Sequence, residues 1–163
     1  MGKCVGVFLL NNGGIIALVD DVEVLLRSAN GEEAILNPCD YLLDDKTNEE
    51  MDKYLSGQKK GKQERNKRLL KRRVIKTLVA GKKFTELDRK LRSELISLDG
   101  ACIIDKKGRV CACGAIIQND SGSTGGGRGA ASKKLSRYGF SIKISTDGYI
   151  ELYINGSEKY SIK

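Results

Sequence analysis

Residues 123–131 read Ser-Thr-Gly-Gly-Gly-Arg-Gly-Ala-Ala and lead directly into a stretch of good helix formers that ends at Gly139. Consecutive glycines allow positive φ and let a ligand approach the backbone, because no Cβ stands in the way. A glycine loop that leads into a helix collects unpaired N–H groups at the positive end of the helix dipole, which suits an anion. Arg128 adds a side chain that can grip a phosphate. The run predicts a phosphate-binding loop, with a flexible surface loop as the alternative.

A second motif lies upstream of the glycine run, where residues 98–105 read Leu-Asp-Gly-Ala-Cys-Ile-Ile-Asp. Together the two motifs resemble the catalytic domain of diadenylate cyclases, which join two ATP molecules into cyclic di-AMP. The shared parts are Asp99-Gly100-Ala101, Thr124-Gly125, Ala130-Ala131 and the strand-like residues 149–153. The resemblance covers residues 85–162, and residues 13–21 are similar to the first core strand of the family. It implies an α/β fold with a mixed central β-sheet flanked by helices, in one domain over residues 1–163.

The resemblance implies a site for an adenine nucleotide or a cyclic dinucleotide, in a protein of bacterial signalling. The positions that would contact the nucleotide and its phosphates are Gly100, Ala101, Thr124, Gly125, Gly126, Gly127, Arg128 and Gly129. In the family, the aspartate that matches Asp99 coordinates a divalent metal, so Mg²⁺ or Mn²⁺ is the implied cofactor when nucleotide is bound. An aspartate that caps a turn is the alternative interpretation of Asp99. In an active enzyme, Asp99 and Arg128 would be the catalytic residues.

The chain departs from the family in the second motif, which reads Gly-Thr-Arg-His-Arg in diadenylate cyclases. Gly125 matches the glycine, Gly126 stands at the threonine, and Gly127, Arg128 and Gly129 occupy the last three positions. Two cationic side chains are therefore missing, and nucleotidyl transfer depends strongly on such charges. We therefore predict a sensor-type nucleotide-binding module that is catalytically degenerate. The alternatives are an active diadenylate cyclase, which would need two facing protomers and hence a homo-oligomer, and a basic nucleic-acid-binding protein.

Composition excludes several classes of function. The chain has 163 residues, a formal net charge of +8, five cysteines and no histidine. Without an imidazole, the chain offers no Ser-His or Cys-His nucleophile pair, which removes most hydrolase mechanisms. No stretch approaches twenty apolar residues, and the N-terminus lacks the apolar run of a signal peptide, so we expect a cytoplasmic protein without membrane contact.

Cys102, Cys111 and Cys113 are candidate zinc ligands by residue type. If residues 106–108 form a hairpin turn, Cys102 lies opposite Cys111, and Cys113 shares their face of the sheet. A fourth ligand is not evident, and these residues alternate with apolar ones as core residues do. We therefore favour small buried core residues over a metal site.

The pattern of apolar and turn residues predicts the order of elements. Residues 1–45 read as strands at 4–10, 14–19, 22–26 and 33–36, with turns at Asn11-Asn12-Gly13 and Asn30-Gly31. A capping box at Thr47 predicts a helix through Leu55. Helices are then expected at 85–98 and 130–138, and strands at 101–105, 110–117, 140–145, 149–154 and 159–162.

Residues 46–84 form a helical and basic insertion ahead of the core at 85–163. Lysine and arginine crowd the segment between Lys59 and Lys76, opposed there by Glu64 alone. The favoured interpretation is a solvated or partly disordered segment, because like charges repel and apolar spacing is absent before Leu69. Binding of a nucleic-acid backbone is the less favoured alternative, since the segment lacks aromatic residues for base stacking.

Overall fold

The computed structural model describes residues 13–27, 34–57, 61–79, 81–118 and 126–163. A six-stranded mixed β-sheet, ordered β3-β2-β1-β4-β5-β6, forms its centre. The central strands β1 and β2 run parallel, and every other neighbouring pair is antiparallel. The strands are β1 Gly14–Val19, β2 Ala101–Asp105, β3 Val110–Ala115, β4 Gly139–Ile144, β5 Ile150–Ile154 and β6 Ser157–Ile162. The predicted α/β class with a mixed sheet between helices is confirmed.

Helices cover both faces of this sheet. They are α1 Val22–Leu26, α2 Asn48–Ser56, α3 Lys62–Val79, α4 Arg89–Ser97 and α5 Gly126–Leu135. Side chains alternate along each strand, so Ile15 and Ala17 pack towards Leu135 of α5, whereas Cys102 packs on the opposite face with Ile96 of α4. Burial of each large aliphatic side chain contributes about 1.5–3 kcal/mol. None of the described helices is long and apolar enough to cross a membrane.

Several secondary-structure elements were predicted correctly from turn and capping residues. Thr47 forms the predicted capping box, in which its side chain accepts a hydrogen bond from the Glu50 backbone N–H at 3.2 Å and Glu50 accepts one from the Thr47 backbone N–H at 2.6 Å. The three C-terminal strands also lie close to their predicted ranges. Asn155 and Gly156 take positive φ at the turn between β5 and β6, as an Asn-Gly hairpin requires.

The N-terminal strand predictions are partly wrong. Residues 22–26 form helix α1, because Asp21 caps it by accepting a hydrogen bond from the Glu23 backbone N–H, and Val22 and Leu25 are buried at helical spacing. Residues 34–36 form no strand, although Leu36 donates a backbone hydrogen bond to Leu25. The predicted strand at 4–10 and the turn at Asn30-Gly31 lie outside the described residues.

The basic segment is more ordered than the sequence suggested. Residues 62–79 form α3, whose C-terminal part buries Ile75 and Val79 in the core. Arg72 is itself buried and pairs with Asp44, which lies beside Lys76 as well. The solvated interpretation therefore holds for the exposed Lys62, Lys67 and Arg73 but is wrong for the buried Arg72, and the range is a helix rather than a disordered segment. Lys59 lies outside the described residues.

Two further boundaries differ from the prediction. The expected helix at 85–98 begins only at Arg89, where Asp88 caps it by accepting a hydrogen bond from the Lys90 backbone N–H at 2.8 Å. Helix α5 begins at Gly126 rather than at Ala130, so the last glycines of the run belong to the first helical turn. Gly127 and Gly129 therefore lie in helical backbone, whereas Gly126 enters the helix with a positive φ.

Candidate functional site

A cavity of about 500 Å³ opens at the edge of the sheet where β1 and β2 begin. Its lining includes Asp99 and Gly100 from the connection between α4 and β2, Ala101 at the start of β2, and Gly126, Gly127 and Arg128 from α5. The structure thus brings six of the sequence-predicted site residues to one place. Gly129 follows in the same helical turn but does not line the cavity. Thr124 and Gly125 lie outside the described residues.

Gly100 explains how Asp99 reaches the cavity. Its φ is +113°, and a Cβ at this position would lie 2.5 Å from the carbonyl oxygen of Ala115. Only glycine tolerates such an approach together with a left-handed backbone. The connection therefore lies directly against the end of β3, with the exposed carboxylate of Asp99 at the cavity.

The first turn of α5 faces the same cavity. Gly126 has a φ of +74°, and a Cβ at Gly126, Gly127 or Gly129 would meet no atom of the described residues within 4 Å beyond its chain neighbours and its own helix. The first N–H groups of a helix have no partner within the helix, and the helix dipole makes this end positive. Lys133 and Lys134 occupy the last turn of α5, where a positive charge complements the dipole.

Arg128 lies over the start of β1. A Cβ on Gly13 would be 3.1 Å from Nη1 of Arg128 and 2.7 Å from the carbonyl oxygen of Ile144, so glycine at position 13 leaves room for the guanidinium. Within the described part of the chain, no carboxylate forms an ion pair with Arg128. Its charge is therefore available to an anion in the cavity.

Lys143 is a cavity residue that the sequence reasoning missed. It lies on β4 opposite Ile15 and lines the cavity, while its Nζ lies 2.8 and 2.9 Å from the two carboxylate oxygens of Glu151. Burial acts to raise the pKa of Glu151, but hydrogen bonds from Lys143 and Tyr153 outweigh it and hold that pKa below its usual value. Counting strand register outward from the Asp147-Gly148 turn would have placed Lys143 opposite Glu151.

The cavity is suited to an anion rather than to a preformed metal centre. Arg128 lines it without an ion pair among the described residues, Lys143 is paired with Glu151, and Asp99 is the one carboxylate among the described lining residues. Among the described residues, no group of three or more Cys, Asp or Glu side chains is placed to hold a metal ion. Asp99 thus offers a single hard oxygen ligand, and a bound Mg²⁺ or Mn²⁺ would need further oxygens from a ligand.

The cysteines are arranged differently from the prediction. Cys102 and Cys113 face each other with their sulfur atoms 3.6 Å apart, whereas Cys111 packs on the opposite face of the sheet. Register shifts between β2 and β3 cause this, because an extra residue turns the following side chains to the other face. Burial raises the pKa of Cys111 to about 12, so this thiol stays protonated as a core residue.

No protein-family model matches the chain, and no curated protein matches it. Among solved structures, the chain is similar to a double mutant of DacA from Staphylococcus aureus, with 19% sequence identity and a TM-score of 0.38. This likeness covers 55% of the present chain and 68% of the DacA chain. At so low a TM-score, we draw nothing about the site from it.

Proposed function

We propose that the cavity binds the phosphate groups of an adenine nucleotide or a cyclic dinucleotide such as cyclic di-AMP, in a sensor-type module. The observation that carries the proposal is the first turn of α5. Gly127 lines the cavity at a helical position where a Cβ would meet none of the described residues beyond its own helix, so the described part of the fold does not need glycine there. Glycine costs a helix roughly 0.5–1 kcal/mol relative to alanine. A ligand that approaches the backbone amides explains why that cost is tolerated.

The arginine of the cavity supports the choice of a phosphate ligand. Arg128 can offer two parallel N–H donors to a phosphate, whereas the charge of Lys143 is paired with Glu151. When a divalent metal is bound with the nucleotide, Asp99 would hold it and the metal would neutralise phosphate charge. The remaining ligands would come from the phosphates and from water.

The cavity residues are better suited to binding a nucleotide than to catalysing the synthesis of cyclic di-AMP. The motif positions that carry Arg-His-Arg in diadenylate cyclases are Gly127, Arg128 and Gly129 here, so one cation stands in place of three. Charge stabilisation supplies most of the catalysis in nucleotidyl transfer, whereas backbone amides suffice to hold a phosphate. We therefore expect little or no cyclic di-AMP from ATP with Mg²⁺ or Mn²⁺.

Isothermal titration with ATP, GTP and cyclic di-AMP, with and without Mn²⁺, tests the proposal. We expect Arg128→Ala to weaken binding by about 1.5–3 kcal/mol, the range for a hydrogen bond to a charged group. Arg73→Ala, on the exposed face of α3, is the matched control and should bind like the parent chain. Unchanged affinity in Arg128→Ala would remove the phosphate site.

Mass spectrometry of the reaction mixture separates the sensor from the enzyme. Metal-dependent cyclic di-AMP that disappears in both Asp99→Asn and Arg128→Ala would replace the sensor with an active diadenylate cyclase. If the protein is a sensor, Asp99→Asn changes how nucleotide binding depends on the metal. Neither this variant nor the parent chain then forms cyclic di-AMP.

A further inference from the structure

A second groove lies between α3 and α4, on the face of the sheet opposite α5. It has a volume of about 400 Å³ and a mostly apolar lining. One wall is formed by Leu70, Val74 and Leu78 of α3, whose exposed fractions are 63%, 48% and 44%. A spacing of four residues places these side chains on one face of the helix. Three large apolar side chains left exposed in a row mark a contact surface rather than scattered surface residues.

We propose that this groove binds an amphipathic helix of a partner protein, with acidic side chains along the edge that meets α3. The wall from Leu70 to Leu78 is about 12 Å long, which matches just over two turns of a helix. A concave groove between two helices accepts the apolar ridge of a third. The opposite wall supplies Leu91 and Leu98, both half-buried, so the apolar surface continues across the floor.

Charge at the rims sets the character of the partner. Lys67 stands on the α3 wall and Glu94 on the α4 wall, whereas the half-buried Lys71 donates a hydrogen bond to the carbonyl oxygen of Gly114. Lys67 is exposed and forms no ion pair within the described ranges. A helix with acidic residues on one edge therefore gains complementary charge against α3 and fixes its direction in the groove.

The same features disfavour other occupants. A bilayer is flat and needs a protruding apolar stripe, whereas Leu91, Leu95 and Leu98 of this apolar surface lie on α4 or at its C-cap, inside the groove. A second copy of the chain would bring two basic α3 helices together, which like charges oppose. A nucleic acid would use the lysines but would leave the exposed leucines without a role.

Fluorescence anisotropy with labelled synthetic helices tests the proposal on the full chain. The probe is a peptide of about sixteen residues with leucines at i, i+3, i+4 and i+7 and glutamates along one edge. A second peptide carries lysines in place of the glutamates. We expect saturable binding of the glutamate peptide, weakened about tenfold or more by Leu70→Glu. Ile162→Glu is the matched control, because Ile162 is 65% exposed on β6 and lies away from the groove.

Lys67→Glu gives an independent readout that does not depend on the apolar wall. It should weaken the glutamate peptide and strengthen the lysine peptide, with the melting temperature of the chain unchanged. Equal binding of both peptides, or no binding of either at millimolar concentration, would overturn the proposal. Three other results would also overturn the proposal: cosedimentation with anionic vesicles, retention of RNA, or a concentration-dependent dimer. Each would assign the groove to another occupant if Leu70→Glu abolished that interaction.

Discussion

Replacing Gly127 by alanine should make the protein more stable and a poorer binder at the same time. Gly127 lies in the first turn of α5 without a positive φ, and among the described residues a Cβ there would meet no atom within 4 Å beyond its own helix. Alanine therefore introduces no clash and restricts the unfolded chain, which contributes about 0.4–1 kcal/mol. For a chain of this size, a gain of 1 kcal/mol raises the melting temperature by about 2–4 °C.

The affinity should change in the opposite direction. The new methyl group would project from the helical turn that lines the cavity, where a phosphate is proposed to lie against the amides. We expect nucleotide affinity to fall at least about tenfold, equivalent to about 1.4 kcal/mol. Differential scanning calorimetry without ligand gives the stability, and isothermal titration gives the affinity.

Gly129→Ala is the internal comparison, because Gly129 lies in the same turn with equally open space but does not line the cavity. It should give a similar gain in stability with a smaller loss of affinity. A Gly127→Ala variant that melts higher and binds nucleotide as tightly as the parent would refute the role given to this turn.

Three further predictions concern the framework of the site. Gly100→Ala should lower the free energy of unfolding by about 2–5 kcal/mol in urea titration, because it combines left-handed strain with a Cβ only 2.5 Å from the oxygen of Ala115. Burial acts to raise the pKa of Asp105, but hydrogen bonds from Arg109 and Lys107 outweigh it and hold the folded pKa below the ordinary 3.8. The ionised Asp105 carboxylate therefore stabilises the fold fully above pH 3.8, and this contribution is lost as the pH falls through the folded pKa. The free energy of unfolding should accordingly decline less steeply in acid for Asp105→Asn than for the parent chain. Burial raises the pKa of Cys39 to about 11 and that of Cys111 to about 12, so peptide mapping after iodoacetamide at pH 8 should find both modified only when the chain is unfolded.

The sequence predicted best where single residues dictate local backbone. The Thr47 capping box and the Asn155-Gly156 turn each fix a geometry within a few residues, so the elements beside them were expected correctly. The run at 22–26 was misread because short apolar segments with valines suit strand and helix alike, and the cap at Asp21 decided between them.

The candidate site was predictable in part for a related reason. Motif residues such as Asp99 and Gly127 stand out in the sequence, and both line the cavity. The hairpin register places Lys143 opposite Glu151, but its position at the cavity follows from pairing between β4 and β1, which are distant in sequence. The sequence also did not indicate that α3 packs on the rest of the domain, because the partner of the buried Arg72 is Asp44, a residue outside the basic segment.

The position of β1 in the sheet has a consequence for the order of folding. Ile15 pairs with Ala101 on one side and with Lys143 on the other, so both neighbours of β1 lie far away along the chain. Closing such long loops costs entropy before the contacts repay it, whereas the hairpins from β4 to β6 form from local contacts. All three residues line the cavity, so its walls meet only when the slowest pairings are complete. A ligand of this cavity would therefore bind the native chain alone, and its binding free energy would add directly to the stability of the fold.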